Sequence, residues 1–167
     1  MLRRTTVLIS LAMLLLPVAA FAVGASNQGI ATVLTPLTVN GVRDLDFQNV
    51  FPGVAKAVAH TDATSAKWTV VGQAGAEVTV DFTLPASLAS GGNNLSISFS
   101  SSDAGRNTVD NSAGATTFDP TVQETTTLEA ASGELFVWLG GQVSPAGNQP
   151  AGVYQAAIIA DVNYTGN

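Results

Sequence analysis

Cysteine is absent from all 167 residues. Its absence excludes disulfide staples, thiolate metal sites and thiol nucleophiles. Histidine occurs once, at His60, so a site built from several imidazoles is excluded as well. A Ser-His-Asp arrangement needs His60 as a positioned base; Asp62, two residues on, does not decide that, and His60 reads as a loop histidine. Positive charge is scarce, with six Lys and Arg against twelve Asp and Glu. Phosphate backbones and anionic lipid surfaces are bound by clustered Lys and Arg, so neither nucleic acid nor a membrane surface is expected as a partner. Long apolar runs are missing too, apart from one at the N-terminus.

That run covers residues 7–20 and is interrupted only by Ser10 and Pro17. It is shorter than the roughly 20 residues that span a bilayer. Arg3 and Arg4 precede it, and Ala20-Phe21-Ala22 follows with the small-x-small pattern of a cleavage site. A basic start, a short apolar helix and small residues at the cut mark a cleavable secretory signal, expected over residues 1–22, with a cut after Ala25 as the alternative. Removing it leaves 145 residues with four basic and twelve acidic side chains, a formal charge of −8. A chain of that length suits a single domain. It is expected to be exported to the periplasm, the cell surface or the medium, with no membrane segment after cleavage.

What the remaining sequence does contain is Thr, Val, Ser, Gly and Ala, which is strand and turn chemistry. Residues 30–39 read as extended, with Pro36 at an edge. Asn40-Gly41 tolerates positive φ and predicts a hairpin turn. Leu45, Phe47 and Val50 suggest a strand ended by Pro52-Gly53, and a short strand follows over 54–58. Residues 60–65 read as loop, 67–71 as strand and 73–75 as turn. Over 77–84 the alternation is clean, with Val78, Val80, Phe82 and Leu84 on one face. Gly91-Gly92-Asn93-Asn94 is a turn cluster before the alternating Leu95, Ile97 and Phe99. Residues 100–117 are poor in apolar side chains and read as a long loop. Strands are expected at 134–139 and, most regularly, at 153–164, where Tyr154, Ala156, Ile158, Ala160, Val162 and Tyr164 share a face. Short strands at this spacing predict an all-β chain, an immunoglobulin-like antiparallel β-sandwich. The expected organisation is a signal peptide at 1–22, an extended segment at 23–34 and a sandwich domain at 35–167.

The search for chemistry returns little. Asp44 and Asp46 flank Leu45 and read as a solvated strand face, with no calcium-loop spacing after them. Asp103, Asp110 and Asp119 fall in loop-like sequence and are the remaining candidates for calcium. Gly91-Gly92 and Gly140-Gly141 lead into no helix and precede no suitably spaced lysine, so neither is a phosphate loop. Trp68 and Trp138 stand among apolar neighbours and are expected in the core rather than on a glycan platform. No metal, cofactor or catalytic residue is expected, and the chain reads as non-enzymatic.

Pro36-Leu37-Thr38-Val39, Asp44-Leu45-Asp46-Phe47 and Pro52-Gly53 resemble the opening of the bacterial exported family catalogued as domain of unknown function 4402. Its members usually carry glycine after that phenylalanine, where this chain has Gln48. Trp68-Thr69-Val70-Val71-Gly72, the stretch 78–85, the stretch 148–154 and Val162-Asn163-Tyr164 are similar as well. The resemblance implies an immunoglobulin-like sandwich at the cell exterior and no defined activity. Gly152 followed by an alternating strand that ends near Tyr164 also resembles fimbrial subunits of chaperone–usher systems. Tyr164 is not penultimate here, and the disulfide common in the best-known pilins is absent.

An alternating strand without basic gatekeepers has to be paired, within the chain or with a neighbour. The expected function is a structural subunit of an extracellular filament or surface assembly, joined by donor-strand exchange. Its partners would be further copies of itself or other surface proteins. Ile30, Val33 and Leu37 are the candidate inserting residues. Tyr154, Ile158, Val162 and Tyr164 are the candidate groove or core residues. The alternative expectation is a monomeric binding module that recognises glycans or another surface ligand.

Overall fold

The computed structural model describes residues 24–166. The expected signal peptide lies outside the described residues. The compact unit begins at Val33. Residues 24–32 contain no strand.

The described chain is all-β, with twelve strands and one 3₁₀ turn, Ser112–Gly114. In chain order the strands are β1 (Thr38–Arg43), β2 (Lys56–Val58), β3 (Ala66–Val71), β4 (Glu77–Thr83), β5 (Ser87–Ser90) and β6 (Asn93–Ser98). They continue as β7 (Ala104–Asn107), β8 (Thr116–Phe118), β9 (Glu124–Thr127), β10 (Glu134–Leu139), β11 (Gly141–Ser144) and β12 (Ile159–Tyr164). Three antiparallel sheets result, ordered β1-β3-β10-β7-β8, β2-β11-β6-β5 and β12-β4-β9. The arrangement is consistent with a β-sandwich.

The main core lies between the five-stranded and three-stranded sheets. Val70, Leu135, Val137 and Leu139 from β3 and β10 meet Val78 and Val80 of β4, all buried. The alternation over 77–84 therefore marks a real face: Val78 and Val80 point in, while Asp81 and Thr83 are exposed. A second cluster of Phe47, Val58, Leu95, Ile97 and Val143 belongs to the four-stranded sheet. Leu45 and Phe99 pack against both clusters and join them.

One continuous stretch, β10 and β11, changes sheets at Gly140. A Cβ there would stand 2.2 Å from the Val58 carbonyl oxygen and 2.8 Å from the His60 nitrogen. Only glycine admits that backbone approach. Gly91 and Gly92, both at positive φ, close the β5–β6 hairpin as a two-residue turn. Asn93 and Asn94 already belong to β6, so the turn is shorter than the expected four-residue cluster.

Several expectations are corrected. Asn40-Gly41 is no hairpin: both residues lie inside β1, paired with Thr69 and Trp68, and neither has positive φ. The bare Gly41 backbone lies against the Trp68 indole, whose Nε1 would be 3.8 Å from a Cβ at that position. Residues 45–50 form no strand, although Phe47 is buried. The expected loop over 100–117 contains β7 and most of β8. β7 has the sequence Ala-Gly-Arg-Asn, which carries no apolar alternation. Gly105 is small because the His60 ring lies over it, 2.5 Å from where a Cβ would stand. The 153–164 stretch is also not one strand. Gln155 makes an isolated bridge to Ala89 of β5, and only Ile159–Tyr164 pairs, with β4. The chain crosses from one sheet to another between these two points.

Trp138 is buried at 2% exposure but belongs to neither core cluster. Neighbouring Leu135, Val137 and Leu139 face the core, so the pleat turns Trp138 to the opposite face. There it pairs across to Lys67 and Gly105. The Lys67 ammonium sits 5.9 Å from its ring and 5.3 Å from that of Phe136, and it is held by Asp110 at 2.6 Å.

Candidate functional site

Strands β1 and β12 are the edges of the five-stranded and three-stranded sheets on the same side of the core. The opposite side is closed covalently, because residues 119–123 carry the chain from β8 to β9. The Arg106–Glu124 ion pair at 2.7 Å spans it as well. The β1/β12 side is closed at one end only.

At the closed end the Tyr164 hydroxyl accepts a hydrogen bond from the Gln73 amide at 2.6 Å and donates one to the Thr35 carbonyl at 2.7 Å. Thr35 is also held by its N–H and its hydroxyl, which both donate to the Gln73 side-chain oxygen at 3.3 and 3.0 Å. Leu37, Leu128 and Tyr164 converge over Gly72, where a Cβ would come within 2.9 Å of each. This end is a latch that fixes the entry of the compact unit against its last strand.

At the other end, a six-residue β1 of about 20 Å away, the two edges part. An open groove of about 1120 Å³ lies between residues 41–47 and residues 153–158. Trp68, Leu88 and Ile97 lie between these walls. Trp68 is half-buried and packs on Phe82 with ring centroids 5.4 Å apart. One wall is held by Arg43, whose guanidinium donates to the carbonyl and hydroxyl of the buried Ser65 at 2.6 and 3.0 Å. Among the described residues both walls carry unused main-chain groups. Between 44 and 47 only Asp46 donates to a backbone partner, Thr64. Between 153 and 158 only Gln155 is bridged, to Ala89.

Of the residues singled out from sequence, Leu37, Tyr154, Ile158, Val162 and Tyr164 lie along this side. Tyr154 and Ile158 line the groove. Tyr154 packs on the second cluster, and its hydroxyl donates to the Pro150 carbonyl at 2.8 Å. Val162 packs on the main core between groove and latch, and Tyr164 forms the latch. Leu37 packs on the core of its own domain. Ile30 and Val33 are exposed at 86% and 93%. Three residues apart, Ile30 and Val33 would point to opposite faces of an extended strand. The wall at 41–47 and the seat formed by Trp68, Leu88 and Ile97 were not anticipated. The available signal was Leu45 and Phe47 alternating with Asp44 and Asp46, which suits a half-buried ledge.

The carboxylates considered for calcium are each engaged locally. Asp103 accepts from the Ser100 amide, Asp110 pairs with Lys67, and Asp119 accepts from both the amide and the hydroxyl of Thr121. The Thr121 hydroxyl is the main cause that lowers the Asp119 pKa. Among the described residues no three His, Asp or Glu side chains gather as a metal site, and no helix is long and apolar enough to cross a membrane.

Comparison with protein-family models, curated proteins and solved structures gives no match for this chain. The functional reading therefore rests on the groove itself.

Proposed function

We propose that this chain is a non-enzymatic structural subunit of an extracellular filament or surface assembly, with an immunoglobulin-like sandwich whose subunits join by donor-strand exchange. One observation carries the reading: beyond the ends of β1 and β12 a groove opens over Trp68, Leu88 and Ile97, and its walls at 44–47 and 153–158 hold unpaired backbone groups. Unpaired main-chain groups of this kind can accept an added strand. At about 1120 Å³ the groove is at the upper end of the roughly 300–1,000 Å³ of small-molecule sites, room enough for an extended peptide segment. An extended segment meets both its needs, because main-chain groups satisfy the walls while alternate side chains fill the floor. The N-terminal pattern for export and the resemblance to an exported bacterial family support placing the assembly outside the cytoplasm.

The test is electron microscopy of the mature protein beside a variant lacking residues 23–34. Filaments or ordered oligomers that disappear on deletion are expected. A monodisperse monomer in both forms, with equal stability, would overturn the proposal and leave the monomeric binding module. Trp138 offers such a module no glycan platform at 2% exposure, so a ligand would have to use Trp68.

A further inference from the structure

Building on the strand-exchange reading, we infer that Trp68 is the specificity-determining seat of the groove, and that its occupant is Ile30 from the N-terminal arm of a second copy. Observations on the groove and on the arm converge on this. The Trp68 indole lies against the bare backbone of Gly41, with Cδ1 only 3.9 Å from where a Cβ would stand. A side chain at position 41 would cover the ring edge, and glycine leaves it open to the groove. Among the described residues the indole N–H makes no hydrogen bond, and it is not among the fully buried unpaired polar atoms. A Trp N–H at the border of an apolar site normally finds an acceptor, and an incoming strand presents carbonyls at regular spacing.

The arm has the matching chemistry. Residues 24–37 contain no charged side chain, so docking them removes no charge from water. Ile30 is its largest freely exposed apolar residue beside Val33. The root of the arm is pinned at Thr35 by Gln73 and Tyr164, at the closed end. Val33 and Leu34 are too near that root to leave the subunit, whereas Ile30 stands five residues out, about 16 Å when extended. An arm leaving at one end and a groove opening at the other make a head-to-tail contact, which propagates rather than closing as a two-fold dimer. The extended arm also sorts its side chains: with Ile30 turned into the groove, Val33 faces away.

The experiment uses the full mature chain and follows Trp68 by acrylamide quenching as protein concentration rises, with self-association measured in parallel by sedimentation. Trp138 is buried and contributes a constant background. Trp68 should become protected as the chain associates. Ile30→Asp should weaken both protection and association at least tenfold, while Val33→Asp leaves both within about twofold. Trp68→Phe, which keeps a ring but loses the N–H, should weaken association about two- to tenfold. If the wild type associates but both arm variants behave alike, or Trp68 stays equally quenched, the seat is wrong and strand exchange at another register stands. If Trp68 is protected at every concentration and Ile30→Asp exposes it, the arm occupies the groove of its own subunit and the second-copy assignment falls. If the wild type never associates, this inference and the strand-exchange reading fall together.

Discussion

Replacing Tyr164 by Phe removes one oxygen and leaves the ring in place over Gly72, Leu37 and Leu128. Two hydrogen bonds go with it, to the Gln73 amide at 2.6 Å and the Thr35 carbonyl at 2.7 Å. The two losses are unequal. The Thr35 carbonyl is near solvent and can turn to water, which costs about 0.5 kcal/mol. The Gln73 amide lies in a part-buried setting and loses its acceptor, which costs about 1–2.5 kcal/mol. The sum is about 1.5–3 kcal/mol, or a fall in Tm of roughly 5–10 °C for a domain of this size. Urea unfolding of the mature protein measures it, with an unchanged m-value as the sign that only stability has moved. Tyr154→Phe is the internal control. Its hydroxyl reaches only the Pro150 carbonyl, four residues away in an exposed turn, and should cost no more than about 0.5 kcal/mol. If Tyr164→Phe falls within 0.5 kcal/mol of Tyr154→Phe, the latch is not a stabilising contact and the contrast between closed and open ends loses its basis.

Three further outcomes follow from the same structure. Gln48 is the only non-glycine described residue at positive φ, at 53°, and its side chain is exposed; Gln48→Gly should stabilise by about 0.5–1 kcal/mol in thermal unfolding, and a loss of stability would show that the side chain matters. The Glu129 pKa is lowered, first by the Ser132 amide and then by the Ala131 amide; its contribution is therefore present above the ordinary glutamate range and lost as pH falls through the lowered value. Chemical unfolding from pH 7 down to pH 3 should show part of the acid sensitivity missing in Glu129→Gln, and an identical pH profile would refute the assignment. Association of the mature chain should strengthen between 0.01 and 0.15 M salt, because two bodies of formal charge −8 repel and salt screens them; light scattering that falls with salt would mean an interface held by ion pairs.

The sheets with strong alternation were legible in the sequence. β3, β4, β6 and β10 carry buried Val, Leu and Ile on one face, and the pleat makes that pattern visible. The short strands were not. β5 reads Ser-Leu-Ala-Ser and β9 reads Glu-Thr-Thr-Thr, and their pairing is imposed by β6 and β4. β7 was hidden because its small residues make room for His60, a contact 45 residues away in the chain. The Asn40-Gly41 pair shows the converse, where a local turn preference yields to five ladder pairs with β3. At the groove, Tyr154 and Ile158 were identified for their alternation, yet alternation alone placed them on one strand with Tyr164. What separates them is the crossing from β5 to β4, which no local pattern encodes. Gln48 adopts the left-handed backbone that favours glycine, and no local pattern in the sequence marks it.

The distribution of charge and of edges fits one physical account. A sheet edge is usually blunted by a lysine, a proline or a bulge. β12 has none of these, carrying Ile159 and Asp161 exposed. β1 has a single register shift, between Gly41 and Arg43, where the groove begins. β1 is thus interrupted where the groove begins while β12 keeps a regular edge, and the acidic excess of the body can limit indiscriminate pairing through repulsion between copies. An uncharged arm escapes that repulsion, since moving it into a groove brings no further like charge together. On the strand-exchange reading proposed above, long-range exclusion and short-range acceptance would be divided between two parts of one chain. On that reading the body resists its neighbours at a distance, and a segment without charged side chains is what can reach the groove lined by the half-buried Trp68 and Leu88.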